Sequence, residues 1–169
     1  MRLASIKSLF AHFCGQSIAK CINGIFDSCD PTSSDGELVY TIAGTNYPSR
    51  PINTKHNKSA VLMELKKAVG ALHSDNYNTS INAQEFHYND ANLGATTLTG
   101  PAKFYFGCNT ERLSTSNTLI SGVSTNSSPI NLRISTGTTT TQAYNFYLIA
   151  LYDALIVVQP ELRQASVRE

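Results

Sequence analysis

Charge is scarce in this chain, and so is every short motif on which catalysis depends. Thirteen Lys and Arg stand against twelve Asp and Glu, a net charge of +1 with only 15% of residues charged. Proteins that coat nucleic acid carry a basic stripe or patch. The nearest equivalent here is Lys66-Lys67 with Lys55 and Lys58, which reads as the solvated face of a helix, so no specific nucleic-acid partner is expected. No apolar run reaches the roughly 20 residues that a helix needs to cross a bilayer. The four cysteines, Cys14, Cys21, Cys29 and Cys108, match no paired zinc knuckle. A Gly-rich phosphate loop, His-Glu-x-x-His and Gly-x-Ser-x-Gly are all missing. His12, His56, His73 and His87 are scattered at unrelated spacings. These absences leave no residue assigned to a catalytic, cofactor-binding or metal-binding role, and the chain reads as a non-enzyme.

What is present is neutral polarity. With 169 residues the chain suits one domain with a real core, and its surface is solubilised by Ser, Thr and Asn rather than by charge. Such a surface avoids strong repulsion between copies and fits a protein that packs against itself; it fits secreted β-domains equally well. The triplets Asn57-Lys58-Ser59, Asn78-Thr79-Ser80 and Asn126-Ser127-Ser128 would matter only after secretion, and reduced cysteines with synthesis inside the cell are the default.

Along the chain, Ile6, Leu9, Phe10, Phe13, Ser17, Cys21, Ile22 and Ile25 recur at helical spacing. They predict an amphipathic helix interrupted by Gly15 and Gly24, with membrane-surface contact of residues 1–26 as the minor alternative. Residues 30–36 read as a linker or turn. Leu38–Ile42 is strand-like, Gly44-Thr45-Asn46 supplies a turn, and Pro48 and Pro51 are expected to stop the ladder. A helix is predicted over 57–73. Val61, Leu62, Leu65, Ala68, Val69 and Leu72 form its apolar stripe, and Asn57 or Ser59 is its cap. Strands are predicted over 80–88 and 103–109, the second with Ala102, Phe104, Phe106 and Cys108 facing inward. A loop over 90–100 separates them. Leu119, Ile120 and Val123 make a short buried segment, and Ile130, Leu132 and Ile134 alternate with polar residues as in a half-buried strand. The run Phe146–Val158 is apolar at nearly every position. Its aromatic and β-branched content favours a long central strand, with the 57–73 helix a candidate cover. Residues 109–145 outside the strand are expected to be mainly surface loop.

The acids give little more. Glu85 with Asp90, or Asp153 with Glu161, could pair, but nothing in the sequence joins either couple as a general acid and base. Asp153, inside the apolar run, is the one acid expected to be buried, and a structural hydrogen bond to backbone or a hydroxyl is favoured over catalysis.

Several segments together carry a resemblance. These are Pro101–Cys108, Leu119–Thr125 with Ser128-Pro129-Ile130, Ala150–Leu155 and Gln164–Arg168, preceded by Asn46–Pro51 and Asn57-Lys58-Ser59. Over roughly residues 37–168 the chain resembles the C-terminal jelly-roll region of double jelly-roll major capsid proteins of the Polinton-like virus and virophage type. In that family each chain carries two jelly rolls and three chains form a capsomer. The resemblance therefore implies a structural capsid subunit without catalytic residues or cofactors. It also implies a homo-oligomer, trimeric by analogy, and a place in the virion after synthesis inside a host cell. About five or six strands follow Glu37 where one jelly roll takes roughly eight. The implied form is thus N-terminally truncated, or completed by a partner that supplies the missing strands.

The expected fold is mainly β: an antiparallel jelly-roll sandwich over 37–169 with one helix, preceded by a helical extension and linker over 1–36. The expected function is that of a capsid-like subunit that self-associates. The alternative is a β-sandwich binding module, for example for glycans, using the Ser/Thr/Asn-rich loops. A hydrolase on the same scaffold would need clustered acids or histidines.

Overall fold

The computed structural model describes residues 5–15, 31, 36–54, 56–72, 81, 83, 86, 103–111, 121–126, 128–135, 144–159 and 164–168. Among these the protein is mainly β, with two three-stranded antiparallel sheets, a two-stranded hairpin and one helix.

The first sheet is built around the segment read from sequence as a helix. Ile6–Gly15 (β1) is a ten-residue strand flanked on one side by Tyr105–Asn109 (β4) and on the other by Tyr144–Tyr152 (β6). The helical expectation is therefore corrected over 6–15; its remainder, residues 16–26, lies outside the described residues. The physical reason is burial on both faces. Leu9, Ala11 and Phe13 point to one side and Ser8 and His12 to the other, and all are buried. A strand covered on both sides need not alternate apolar with polar. Its apolar positions then match helical spacing as readily as the strand period.

The second sheet is centred on Glu37–Ile42 (β2), between Thr45–Asn53 (β3) and Ile130–Ser135 (β5). Ala43 and Gly44, both at positive φ, make the β2–β3 turn, one step ahead of the expected position. Pro48 and Pro51 do not end the ladder, and among the described residues β3 is an edge strand. Its register shifts between Leu38 and Tyr40, and an edge has no second neighbour to demand the missing N–H. In β5, Ile130 and Leu132 are half-buried beside exposed Asn131 and Arg133, as the alternation predicts, although Ile134 is exposed.

The two sheets meet over one core. Leu9, Ala11, Phe13, Phe106 and Cys108 come from the first, and Leu38, Tyr40 and Ile42 from the second. Tyr40 pins the layers together: its ring stacks on Phe106 with centroids 4.9 Å apart, and its hydroxyl donates 2.8 Å to the Phe106 carbonyl. A buried phenol without such an acceptor would be costly.

Lys58–Ala68 (α1) covers the opposite face of the first sheet, over β4 and β1. Val61, Leu62, Leu65 and Ala68 are its buried stripe. Gly107 makes this approach feasible: a Cβ there would stand 2.8 Å from Leu65 Cδ1 and 3.0 Å from Leu65 Cα. Ser8 Oγ donates 2.8 Å to the Ala68 carbonyl and satisfies one acceptor of the last helical turn. The helix stops earlier than the apolar stripe suggests. Gly70, at φ 79°, ends it, with the Gly70 amide donating to Lys67 O and the Ala71 amide to Lys66 O, the Schellman pattern. Leu72 falls past that stop and is exposed, while His73 lies outside the described residues. Neither expected cap works through its side chain. Asn57 occupies the N-cap without a capping bond, and the nearby Asn53 side chain accepts from the His56 amide instead.

Two further expectations are corrected. Ala83 and Phe86, expected in a strand over 80–88, are helical, with Phe86 buried against Phe104 at 5.2 Å; the other residues of that stretch, apart from Ile81, lie outside the described set. The run Phe146–Val158 is strand, but not one long central strand. It breaks at Asp153-Ala154 into β6, an edge strand among the described residues, and Leu155–Gln159 (β7), which pairs with Gln164–Arg168 (β8) in a separate hairpin. At the break Asp153 is held at the start of β1: its amide donates to Ser5 O and its carboxylate accepts from the Ser5 hydroxyl. Nor does α1 cover β6, since it is seated over β4 and β1. The loop 90–100, Ala102, Leu119 and Ile120 are outside the described residues.

Candidate functional site

Two features stand out among the described residues: a polar clasp at the start of β1 and a set of exposed apolar side chains along β6.

The clasp gathers four distant segments. Ile6 and Val123 exchange both backbone hydrogen bonds at 2.9 Å. Thr110 donates its hydroxyl to Ile6 O at 2.7 Å and its amide to Lys7 O at 2.8 Å. Ser5 Oγ donates 2.8 Å to Asp153 Oδ2 and accepts from the Gly122 amide at 2.9 Å, while the Asp153 amide donates to Ser5 O. Lys7 Nζ lies 3.4 Å from Asp153 and 3.5 Å from Glu111, and the Ser121 hydroxyl donates to Glu111. Gly122 lies so close to β1 that a Cβ would stand 2.3 Å from Ile6 O. Ser121, Val123 and Thr125 are buried here, so this part of 109–145 is core-contacting and not mainly surface loop.

Electrostatics keep the clasp ionised. Partial burial works against the charge on Asp153. The Ser5 hydroxyl, the Ser121 amide and the Lys7 ammonium outweigh it and hold the carboxyl below its ordinary value. Lys7 is the mirror case: burial disfavours its charge, but Asp153 and then Glu111 raise its pKa. Both serines point their hydroxyl protons at charged carboxylates held by a lysine. That is a satisfied structural network, in line with the hydrogen-bonded reading of Asp153.

The other sequence-derived candidates do not converge on it. Cys108 is buried in the core, on the face shared with Phe106. Burial first, and then Glu64, push its thiol up to about 12, with Lys67 acting in the other sense. His12 is buried, stacked on Tyr105 at 5.2 Å and tilted against Tyr147 at 5.8 Å. His56 is exposed at the surface. His73, His87, Glu85, Asp90, Glu161, Lys55, Cys21 and Cys29 lie outside the described residues. Among the described residues no three His, Cys, Asp or Glu are grouped as a metal would require. No described helix is long and apolar enough to cross a membrane.

The exposed apolar surface of β6 is the larger feature. On the face shared with α1, Tyr147, Ile149 and Leu151 are 55%, 52% and 51% exposed, and Phe146 and Tyr152 are also exposed. Leu155 and Ile156 extend the apolar surface into β7 at 53% and 64% exposure. The sequence shows these residues to be apolar and strand-like, but not that they stand uncovered. No protein-family model, curated protein or solved structure matches this chain.

Proposed function

We propose that this chain is a structural subunit of the jelly-roll capsid kind, whose work is to associate with further copies of itself. The observation that carries the proposal is the run of exposed apolar side chains along β6 and the start of β7. Among the described residues β6 is an edge strand, and soluble monomers blunt such edges with charge, proline or bulges. β6, with the sequence YNFYLIALY, contains no charged residue, proline or glycine. Contiguous apolar exposure of this extent marks an interaction surface. The two facing sheets, the scarcity of charge and the resemblance to capsid jelly rolls support the same reading; seven strands follow residue 36 where five or six are expected, and with β1 the described residues carry eight, so no partner need supply strands. The clasp's serines and acids, already bound to one another, offer nothing to a glycan, so the binding-module reading gains no support from it. Light scattering with electron microscopy of the purified protein is the test. Discrete multimers or closed particles are expected, and a monomer at high concentration would refute the proposal.

A further inference from the structure

We propose that Lys7 and Asp153 condense into an isopeptide bond, closed by the chain itself with Glu111 as proton carrier, which fastens the start of β1 covalently to the end of β6. The inference concerns the clasp alone and is independent of the self-association reading.

The argument is the placing of atoms around the Asp153 carboxylate. Lys7 Nζ stands 3.4 Å from Asp153 Oδ1, a near-attack separation for an amine and the carboxyl it would enter. The other oxygen, Oδ2, accepts from the Ser5 hydroxyl at 2.8 Å and from the Ser121 amide at 3.4 Å. Those two donors are set to hold the negative charge that gathers on Oδ2 when an amine adds to Cγ. Glu111 Oε1 lies 3.5 Å from the same Nζ and is held by the Ser121 hydroxyl. A carboxylate in that position can take a proton from Nζ and pass it to the departing oxygen. Backbone bonds keep the reactants in place: the Asp153 amide donates to Ser5 O at 2.9 Å, and the Thr110 amide donates to Lys7 O at 2.8 Å.

The step balances without a co-reactant. An ammonium and a carboxylate enter, the Nζ–Cγ bond forms and the Cγ–Oδ1 bond breaks. Two of the three Nζ protons leave with Oδ1 as water, one of them by way of Glu111. Nothing is oxidised or reduced, and a neutral amide replaces a neutral ion pair. The reaction is slow, because only an uncharged amine attacks and the unreacted clasp holds Lys7 charged. Freshly prepared protein therefore carries the free Asp153 carboxylate, and the linked fraction grows with time.

The test is intact mass spectrometry of the full chain, when fresh and after prolonged warm incubation at neutral pH. The unaltered protein is expected to become lighter by one water. Digestion should then yield a branched peptide in which the Lys7 segment is joined to Asp153. Lys7→Arg keeps a positive charge beside Asp153 but has no ammonium to condense, and Glu111→Gln removes the proton carrier. Both are expected to keep their full mass, with circular dichroism reporting their fold, as is the unaltered chain incubated in urea. The branched peptide decides the matter even if a variant does not fold. An unchanged mass after incubation overturns the proposal. So does a water lost equally from Lys7→Arg or in urea, as from succinimide formation elsewhere, and so does a folded Glu111→Gln that links undiminished.

Discussion

Cys108 and Asp153 show how far single side chains are decided by their surroundings. Burial among Leu9, Phe106 and Tyr40 removes Cys108 from solvent and disfavours its thiolate, the reactive form. Native protein treated with a thiol reagent and mapped by mass spectrometry should carry no label at Cys108, whereas protein unfolded in urea should carry it. Asp153 makes a prediction with a definite sign. Its folded pKa lies below its ordinary value of 3.8, so its contribution to stability is fully present above that value. That contribution is lost as pH falls through the lower, folded value. The stability difference between the unaltered protein and Asp153→Asn should therefore be constant near neutrality and shrink on acidification through that range. Denaturant unfolding of both proteins as a function of pH measures it, and other carboxylates cancel in the difference.

At the scale of elements, β1 and β6 are neighbours with opposite fates. Leu9 in β1 is fully buried, and Leu9→Ala should destabilise by about 2–5 kcal/mol. Leu151 in β6 is half-exposed, so Leu151→Ala should cost the isolated chain no more than about 1 kcal/mol; urea unfolding at low protein concentration compares them. The sequence carries the elements whose pattern is local. The stripe Val61, Leu62, Leu65 and Ala68, the inward run Phe104, Phe106 and Cys108, and the alternation at Ile130 and Leu132 are all legible in it. It also holds the signal that stops α1, Gly70, although the apolar stripe running on to Leu72 masks it. What it does not carry is which strand lies in the middle. Ile6–Gly15 and Tyr144–Tyr152 both carry apolar residues on each face, and only the pairing makes the first central and the second an edge among the described residues. The clasp is hidden for the same reason, since Ser5, Glu111, Ser121 and Asp153 have no common spacing.

For the whole molecule, the two sheets and α1 form layers around one core, while the β7–β8 hairpin is a sheet of its own. An assembly formed through the exposed apolar side chains of β6 would be held mainly by apolar contact. Salt weakens surface ion pairs but strengthens apolar burial. The oligomer mass by light scattering should therefore persist in 1 M salt, an ionic strength at which the Debye length falls to about 3 Å, and should fall in low urea. Loss of the oligomer on adding salt alone would point to a charged interface elsewhere on the chain.

The central position of β1 also has a consequence in time. The contacts that close around its start span 104 to 148 residues of chain. At roughly 5–20 residues per second, a ribosome takes on the order of 5–30 seconds to make that much chain. Throughout that interval Leu9, Phe10, Ala11 and Phe13 have emerged without the strands that shelter them. Topologies closed so late fold slowly and leave sticky intermediates. The nascent chain is therefore a natural client for a ribosome-associated chaperone, and its yield in a cell-free translation system should rise when one is supplied.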